Sequence, residues 1–437
     1  MVGADRPLQP KWVVVTNYMI SLEFLLEEWP ELRAVPKVLI FHGREDDIDP
    51  AAAGIPPNWE VYPMIPEKTH GIRFGVFHTK SFVIGFDDGI RVVVHTANLI
   101  PGDFYNKSQG SWEMDFPRKT SGSARSSDFE DDFIAYMSTY HVKRPKARIK
   151  RWTGSTWNDP GSGKRQSLTV DTLRGFDYSG ANVRLIGSAP GWHKNRQYSA
   201  FGHAKLRDVL RSEKFDPGFK HAPLVAQFSS LGSLNKPWLE RFKASLSTGG
   251  NLEMAPKFQV IWPTVEEVRN SLEGYAAGGS IPGYKKNVNK AFFRPMCHKW
   301  ATDTIHDRKQ AAPHIKTFLR YHPKDPTKLA WLLLTSHNLS KAAWGEHQNG
   351  RFGEQFFIRH WELGVLFLPS TCRKTLSTTK AACVGNETNL RFPLPYDLPP
   401  VPYGSKDEPW KWDVGYRVPD GFGRITVDGQ AGGLLQL

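Results

Sequence analysis

The stretch FGVFHTKSFVIGF at residues 74–86, then DDG at 87–89 and IRVVVHTANL at 90–99, reads as strand, turn and strand. Apolar runs of this length around a glycine-containing turn form a hairpin buried on both faces. His78 and Lys80 stand two apart on the first arm, so a regular strand turns both to one face, and Asn98 closes the second arm. The same polar residues return in the same order as His314 and Lys316, followed by the longer turn YHPKDPTK and by Asn338 at the end of AWLLLTSHN. A strand pair repeated with its polar residues in matching places implies a chain of two similar halves.

Outward from the first pair, elements alternate. Trp12 to Val15 is apolar, MISLEFLLEEWPEL at 19–32 is helix-like, KVLIFHG at 37–43 is a buried strand, and Asp46 to Pro57 is a loop. This order predicts an α/β domain. Composition shifts between residues 120 and 179, where SGSARSSD precedes helix-like FEDDFIAYMSTY and a basic run at 143–151, which reads as a solvated face, as does Lys285-Lys286. A boundary near residue 175 therefore divides an N-terminal domain, 1–175, from a C-terminal domain, 176–437. Strand-like 183–188 and helix-like 204–213 restart the alternation, and the Pro-rich stretch after residue 393 reads as extended packing and loops.

The length of 437 residues suits two or three domains. Lys and Arg number 57 against 44 Asp and Glu, a net charge of +13 that favours a polyanionic partner. Nothing approaches the ~18 consecutive apolar residues of a membrane span. Cys297, Cys372 and Cys383 are too few and too scattered for a disulfide framework, which points to the cytosol or nucleus.

Two imidazoles, two ammoniums and two carboxamides without an acidic cluster suit attack on a phosphodiester. One histidine attacks phosphorus and the other donates a proton, while Lys80, Lys316, Asn98 and Asn338 neutralise and orient the equatorial oxygens. No CxxC, HxxxH or paired Asp accompanies the set, so the sequence implies no metal and no cofactor. These residues alone leave open which histidine attacks. His95, His298, His337 and His360 read as packing or surface residues.

With GIRVVVHTANLIPGDF, PHIKTFLR, SHNLSKAAWG and WELGVLFLPS, the two sets resemble tyrosyl-DNA phosphodiesterase I of the phospholipase D superfamily, over nearly the whole chain. The resemblance implies two similar α-β-α sandwich domains related by a pseudo-two-fold axis, with one active site between them. The wider superfamily usually places Asp five residues after the Lys. Gly85 and Tyr321 stand there instead, which favours the tyrosyl-DNA branch over a lipid-cleaving one. Family members often carry a disordered N-terminal tail, which this chain is expected to lack.

The resemblance further implies that His78 attacks phosphorus and forms a phosphohistidine, while His314 protonates the leaving tyrosine and then activates water. Motif matching sets Glu362 behind His314 and Gln109 behind His78, so that a carboxylate supports the acid and a neutral amide the nucleophile. The implied substrate is DNA bearing a 3′-phosphotyrosyl or other 3′-blocking adduct, including a topoisomerase I-derived peptide. A nuclear monomer without membrane contact is expected. Phe74, on the face of His78 if the strand is regular, would stack on a base, and Ser229, Ser230, Ser233, Ser340 and Lys341 would meet phosphates. Two other readings stay open: a general phospholipase D-type phosphodiesterase or nuclease, and a non-catalytic DNA-binding protein of the same fold.

Overall fold

Trp12–Asn17 is buried along its whole length, as a strand covered on both faces must be. It lies inside a six-stranded sheet ordered 59–63, 38–42, 12–17, 81–85, 89–95 and 111–117. The structure, a computed structural model, describes residues 9–44, 48, 54–123, 126–143, 149–158, 163–300, 308–351, 353–379, 388–429 and 433–436. Part of the basic run 143–151, part of the 46–57 loop and Cys383 lie outside the described residues.

The first three strands of this sheet run parallel, and the next three antiparallel. A nine-stranded sheet follows the order 297–298, 258–261, 224–227, 317–321, 328–335, 362–367 and 184–188, with 375–378 attached to 328–335 and 389–392 to 375–378. Here too the first three strands are parallel and the rest of the path antiparallel. From the parallel edge inward, both sheets therefore run through a parallel trio, the strand after a His-x-Lys, its hairpin partner and a closing strand. The doubled motif is thus matched by a doubled topology.

Helices cover the sheets where caps and apolar stripes allow. Leu22–Glu28 begins at Ser21, whose hydroxyl accepts the Phe24 N–H, and ends before Pro30. The expected helix over 19–32 is therefore shorter, because proline has no N–H to continue it, and Pro30–Ala34 forms a separate 3-10 turn. Asp128–Met137 and Lys236–Leu246 are capped by Ser127 and Asn235. One apolar core joins the halves, running from Val14 and Phe77 through Tyr136 and Tyr140 to Trp361 and Val365.

The seam is a pair of matching clasps. Phe77 bridges to Trp361: the His78 N–H donates to the Trp361 carbonyl at 2.9 Å, and the Trp361 N–H to the Val76 carbonyl at 3.0 Å. In the second clasp Ala312–Pro313 pairs with Lys107–Ser108, and the N–H groups of His314 and Ile315 donate to the Ser108 carbonyl at 3.1 and 2.7 Å. The approach is close enough that a Cβ at Gly75 would collide with the Arg359 carbonyl oxygen.

Candidate active site

The clasps place the chemistry at one end of both hairpins. His78 and Lys80 lie just ahead of the strand Ser81–Gly85, and His314 and Lys316 ahead of Thr317–Tyr321. Asn98 and Asn338 follow the ends of Gly89–His95 and Lys328–Thr335. The sequence reading put each His-x-Lys inside a strand. In the structure the histidine backbones bond to the opposite half instead of continuing the ladder. The spacing of two still works: Lys80 Nζ donates to the His78 carbonyl at 3.0 Å, and Lys316 Nζ donates to the His314 carbonyl.

His78 Nδ1 lies 2.9 Å from Glu362 Oε2 and 3.0 Å from the Ser336 carbonyl. Glu362 is fully buried and also accepts the Ser336 hydroxyl at 2.5 Å, with His360 Nδ1 3.4 Å from its other oxygen. Two acceptors on Nδ1 fix its proton there and leave the lone pair on Nε2. His314 Nδ1 meets the Gln109 amide, with Nε2 at 3.1 Å and Oε1 at 3.3 Å, and Asp103 Oδ2 at 3.2 Å. Gln109 is itself held by the Thr96 hydroxyl at 2.7 Å and by the Asp103 carbonyl at 3.1 Å.

The expected pairing is therefore reversed: Glu362 stands behind His78 and Gln109 behind His314. The clasps are the reason. Glu362 follows Trp361 and Gln109 follows Ser108, so each residue is delivered across the seam to the histidine of the other half.

Burial, with Lys80 and Lys316, pushes His78 down to about 4, against the upward pull of Glu362. Burial, with Lys316, Lys80 and His78 around it, holds His314 well below the usual histidine range. Lys80 is pushed down to about 8 by burial, and Lys316 falls well below its ordinary value from burial and the charge of Lys80. Burial alone would raise Glu362, but His78 and His360 outweigh it and keep the carboxyl well down, hence ionised. The expected difference in protonation, one histidine charged and the other neutral, gives way to two neutral imidazoles beside Lys80 and Lys316. A phosphodiester bound beside Lys80 and Lys316 would add negative charge next to His314 and raise it toward protonation.

Asn338 Oδ1 accepts the N–H groups of Ser229 at 3.2 Å and Ser230 at 2.9 Å. Those amides, expected on phosphates, are committed to orienting Asn338, whose own amide nitrogen is the end able to meet a ligand. Ser233 Oγ accepts from Lys290 at 3.3 Å. Ser340 caps the helix Lys341–Trp344 through the Ala343 N–H, and Lys341 pairs with Glu346 at 3.0 Å. Phe74 is not on a strand face. It sits in a turn with φ 59°, its ring 80% exposed.

Sequence reasoning missed Asp103, fully buried on the short helix Pro101–Tyr105, which accepts the Asn98 N–H at 2.7 Å and pairs with Lys107 at 3.3 Å. An acid inside the apolar stretch NLIPGDF was the available signal. It also missed Ser336, and it read His360 as a packing or surface residue. Among the described residues no group of three or more His, Cys, Asp and Glu is arranged to hold a metal ion.

Two like α/β halves with a His-Lys-Asn set from each at their seam define a phospholipase D-like fold. The chain is similar in structure to the crystal structure of the yeast tyrosyl-DNA phosphodiesterase, with a TM-score of 0.67 and 17% identity over 92% of this chain and 93% of that one. The profile of the tyrosyl-DNA phosphodiesterase family matches residues 5–404. Tyrosyl-DNA phosphodiesterase 1 of Arabidopsis thaliana is 40% identical over 450 residues, covering 94% of this chain and 71% of the relative. A probable tyrosyl-DNA phosphodiesterase of Caenorhabditis elegans is 33% identical over 427 residues, covering 94% and 83%. The chain belongs to the tyrosyl-DNA phosphodiesterase family.

Proposed function

We propose that this protein is a DNA-repair phosphodiesterase that cuts the bond between a DNA 3′-phosphate and the tyrosine of a topoisomerase I-derived peptide, through a phosphohistidine on His78. The observation that carries this reading is the pair of acceptors on His78 Nδ1, Glu362 and the Ser336 carbonyl, which frees Nε2 for attack. In the first step His78 Nε2 bonds to phosphorus and the bond from phosphorus to the tyrosine oxygen breaks. Lys80, Lys316, Asn98 and Asn338 hold the equatorial oxygens, and His314, charged by the bound phosphate and supported by Asp103, gives its proton to the phenolate. A phenol of parent pKa ~10 leaves far more readily than a sugar alkoxide, which favours tyrosyl adducts over intact strands.

In the second step His314 takes a proton from water, whose oxygen bonds to phosphorus as the P–N bond breaks. The products are a 3′-phosphate and free His78. The lysines and asparagines do the neutralising that a metal would otherwise do, so turnover is independent of divalent ions. We further place the enzyme in the nucleus as a monomer acting on single-stranded 3′ ends and on other 3′-blocking adducts. An end-labelled single strand carrying a 3′-phosphotyrosine tests this reading. Conversion to the 3′-phosphate in excess EDTA is expected, and an uncleaved substrate, or activity restored only by Mg²⁺ or Zn²⁺, contradicts it.

A further inference from the structure

Beside His78 the surface carries a row of aromatic rings and guanidinium groups that no catalytic step uses. Trp192 is 49% exposed on Gly191–His193, the outer strand of a three-stranded sheet. Its indole stacks on Phe357, with ring centres 4.8 Å apart and planes 20° from parallel. The Arg359 guanidinium lies 4.8 Å over the Phe357 ring and donates from Nη1 to the Arg73 carbonyl at 3.0 Å. Arg73 in turn lies 5.6 Å over Phe74, four residues before His78. The row thus crosses from the second half of the molecule to the first at the close approach of Gly75 to Arg359.

Charge along the row favours a polyanion. Lys194 and Arg196 follow Trp192 in sequence. Glu346, opposite Phe357 in the strand register, is neutralised by Lys341 at 3.0 Å. Glu67 lies 3.6 Å from Arg73, with both side chains largely in solvent, where such a pair is weak. One face of Trp192 covers Phe357, and about half of its surface is open to solvent. Flat open aromatics interleaved with arginines are how proteins hold unpaired bases and their phosphates.

We propose that this row is a second stacking platform for the strand under repair: nucleotides upstream of the reacting phosphate pass Phe74 and Arg359, and a further base stacks on Trp192. The proposal rests on the reading of the site as one that acts on DNA, and it adds a footprint longer than the reacting nucleotide.

The test is equilibrium binding of 3′-phosphate oligonucleotides, which are not cleaved, to the whole protein and to Trp192→Ala and Trp192→Phe. Single strands of about twelve nucleotides, within the ~4 to 16 that single-strand platforms cover, are compared with a dinucleotide. Trp192→Ala is expected to weaken the longer strand about 5- to 150-fold and to leave the dinucleotide within about twofold, with Trp192→Phe near wild type. Equal loss at both lengths, or none at either, overturns the proposal, and so does a loss confined to duplex DNA. If Trp192→Ala does not fold, the same contrast is read from Trp192→Phe and Trp192→Leu: the leucine must lose the longer strand while the phenylalanine keeps it. Length-dependent binding that needs Trp192, in a protein that cleaves no tyrosyl adduct, would leave the platform standing and remove the proposed reaction. Cleavage that is intact and indifferent to Trp192 would do the reverse.

Discussion

Glu362 Oε2 lies 2.9 Å from His78 Nδ1, although the two residues are 284 positions apart and come from opposite halves of the molecule. Each half of the active site is thus completed by the other. A carboxylate behind a nucleophilic imidazole orients it and stabilises the positive charge that builds on the ring as Nε2 attacks.

Replacing that carboxylate with an amide should be costly. Glu362→Gln is expected to lower kcat/KM on a 3′-phosphotyrosyl strand about 10- to 100-fold, the worth of one charge-assisted hydrogen bond. The pH profile should move too. Glu362 pulls the proton affinity of His78 up toward its present value of about 4. Attack needs the neutral ring, so activity is lost as pH falls through that value. Without Glu362 the acid limb should shift to lower pH while the plateau drops, and a limb that shifts upward contradicts the assignment.

Lys80, together with the equally buried Lys316, shapes the other limb. Burial holds the Lys80 ammonium at about 8 instead of 10.5, so the charge that holds the phosphate is present below that pH and lost as pH rises through it. A fall in kcat/KM above about pH 8 is expected, with the limb moved upward in kcat because bound phosphate favours the charged form. A profile level up to the ordinary lysine value of about 10.4 would show that Lys80 does not carry this charge.

Asp103 supports the second histidine, from 3.2 Å. Asp103→Asn should slow the second step more than the first, because activating water needs base strength that expelling a phenolate does not. Single-turnover electrophoresis should show a covalent intermediate that persists about 10- to 100-fold longer than in wild type. Equal slowing of both steps would make Asp103 a purely structural residue.

How much of this was open to inspection in the sequence follows from which forces act locally. The six repeated residues and the α/β alternation were legible, because strand periodicity and buried polar residues leave local marks. The pairing of Glu362 with His78 was not. It depends on Trp361 and Ser108 crossing the seam to bond with the opposite half, a long-range choice that no local spacing records. Phe74 was misplaced for a related reason: a left-handed residue ahead of the strand breaks the alternation from which its direction was inferred. Asp103 was overlooked because a single acid in an apolar stretch is informative only once its partners, Asn98 and His314, are known to meet there.

The seam also makes a stability prediction. Phe77 is fully buried, its ring 5.4 Å from Tyr140 and 5.6 Å from Trp361, and its backbone forms one clasp. Phe77→Ala should cost about 3 to 5 kcal/mol, read as a lower denaturation midpoint. A midpoint unchanged from wild type would mean that the aromatic cluster does not hold the halves together.

Whether His78 attacks while His314 moves protons is decided by peptide mapping of the adduct formed by His314→Asn with an end-labelled 3′-phosphotyrosyl strand. An acid-labile protein–DNA adduct is expected, as a phosphoramidate should be, carried on the peptide that contains His78 and absent from His78→Ala. An adduct on the peptide containing residue 314 in His78→Ala, or continued turnover by His314→Asn with no adduct at any time, would contradict these roles.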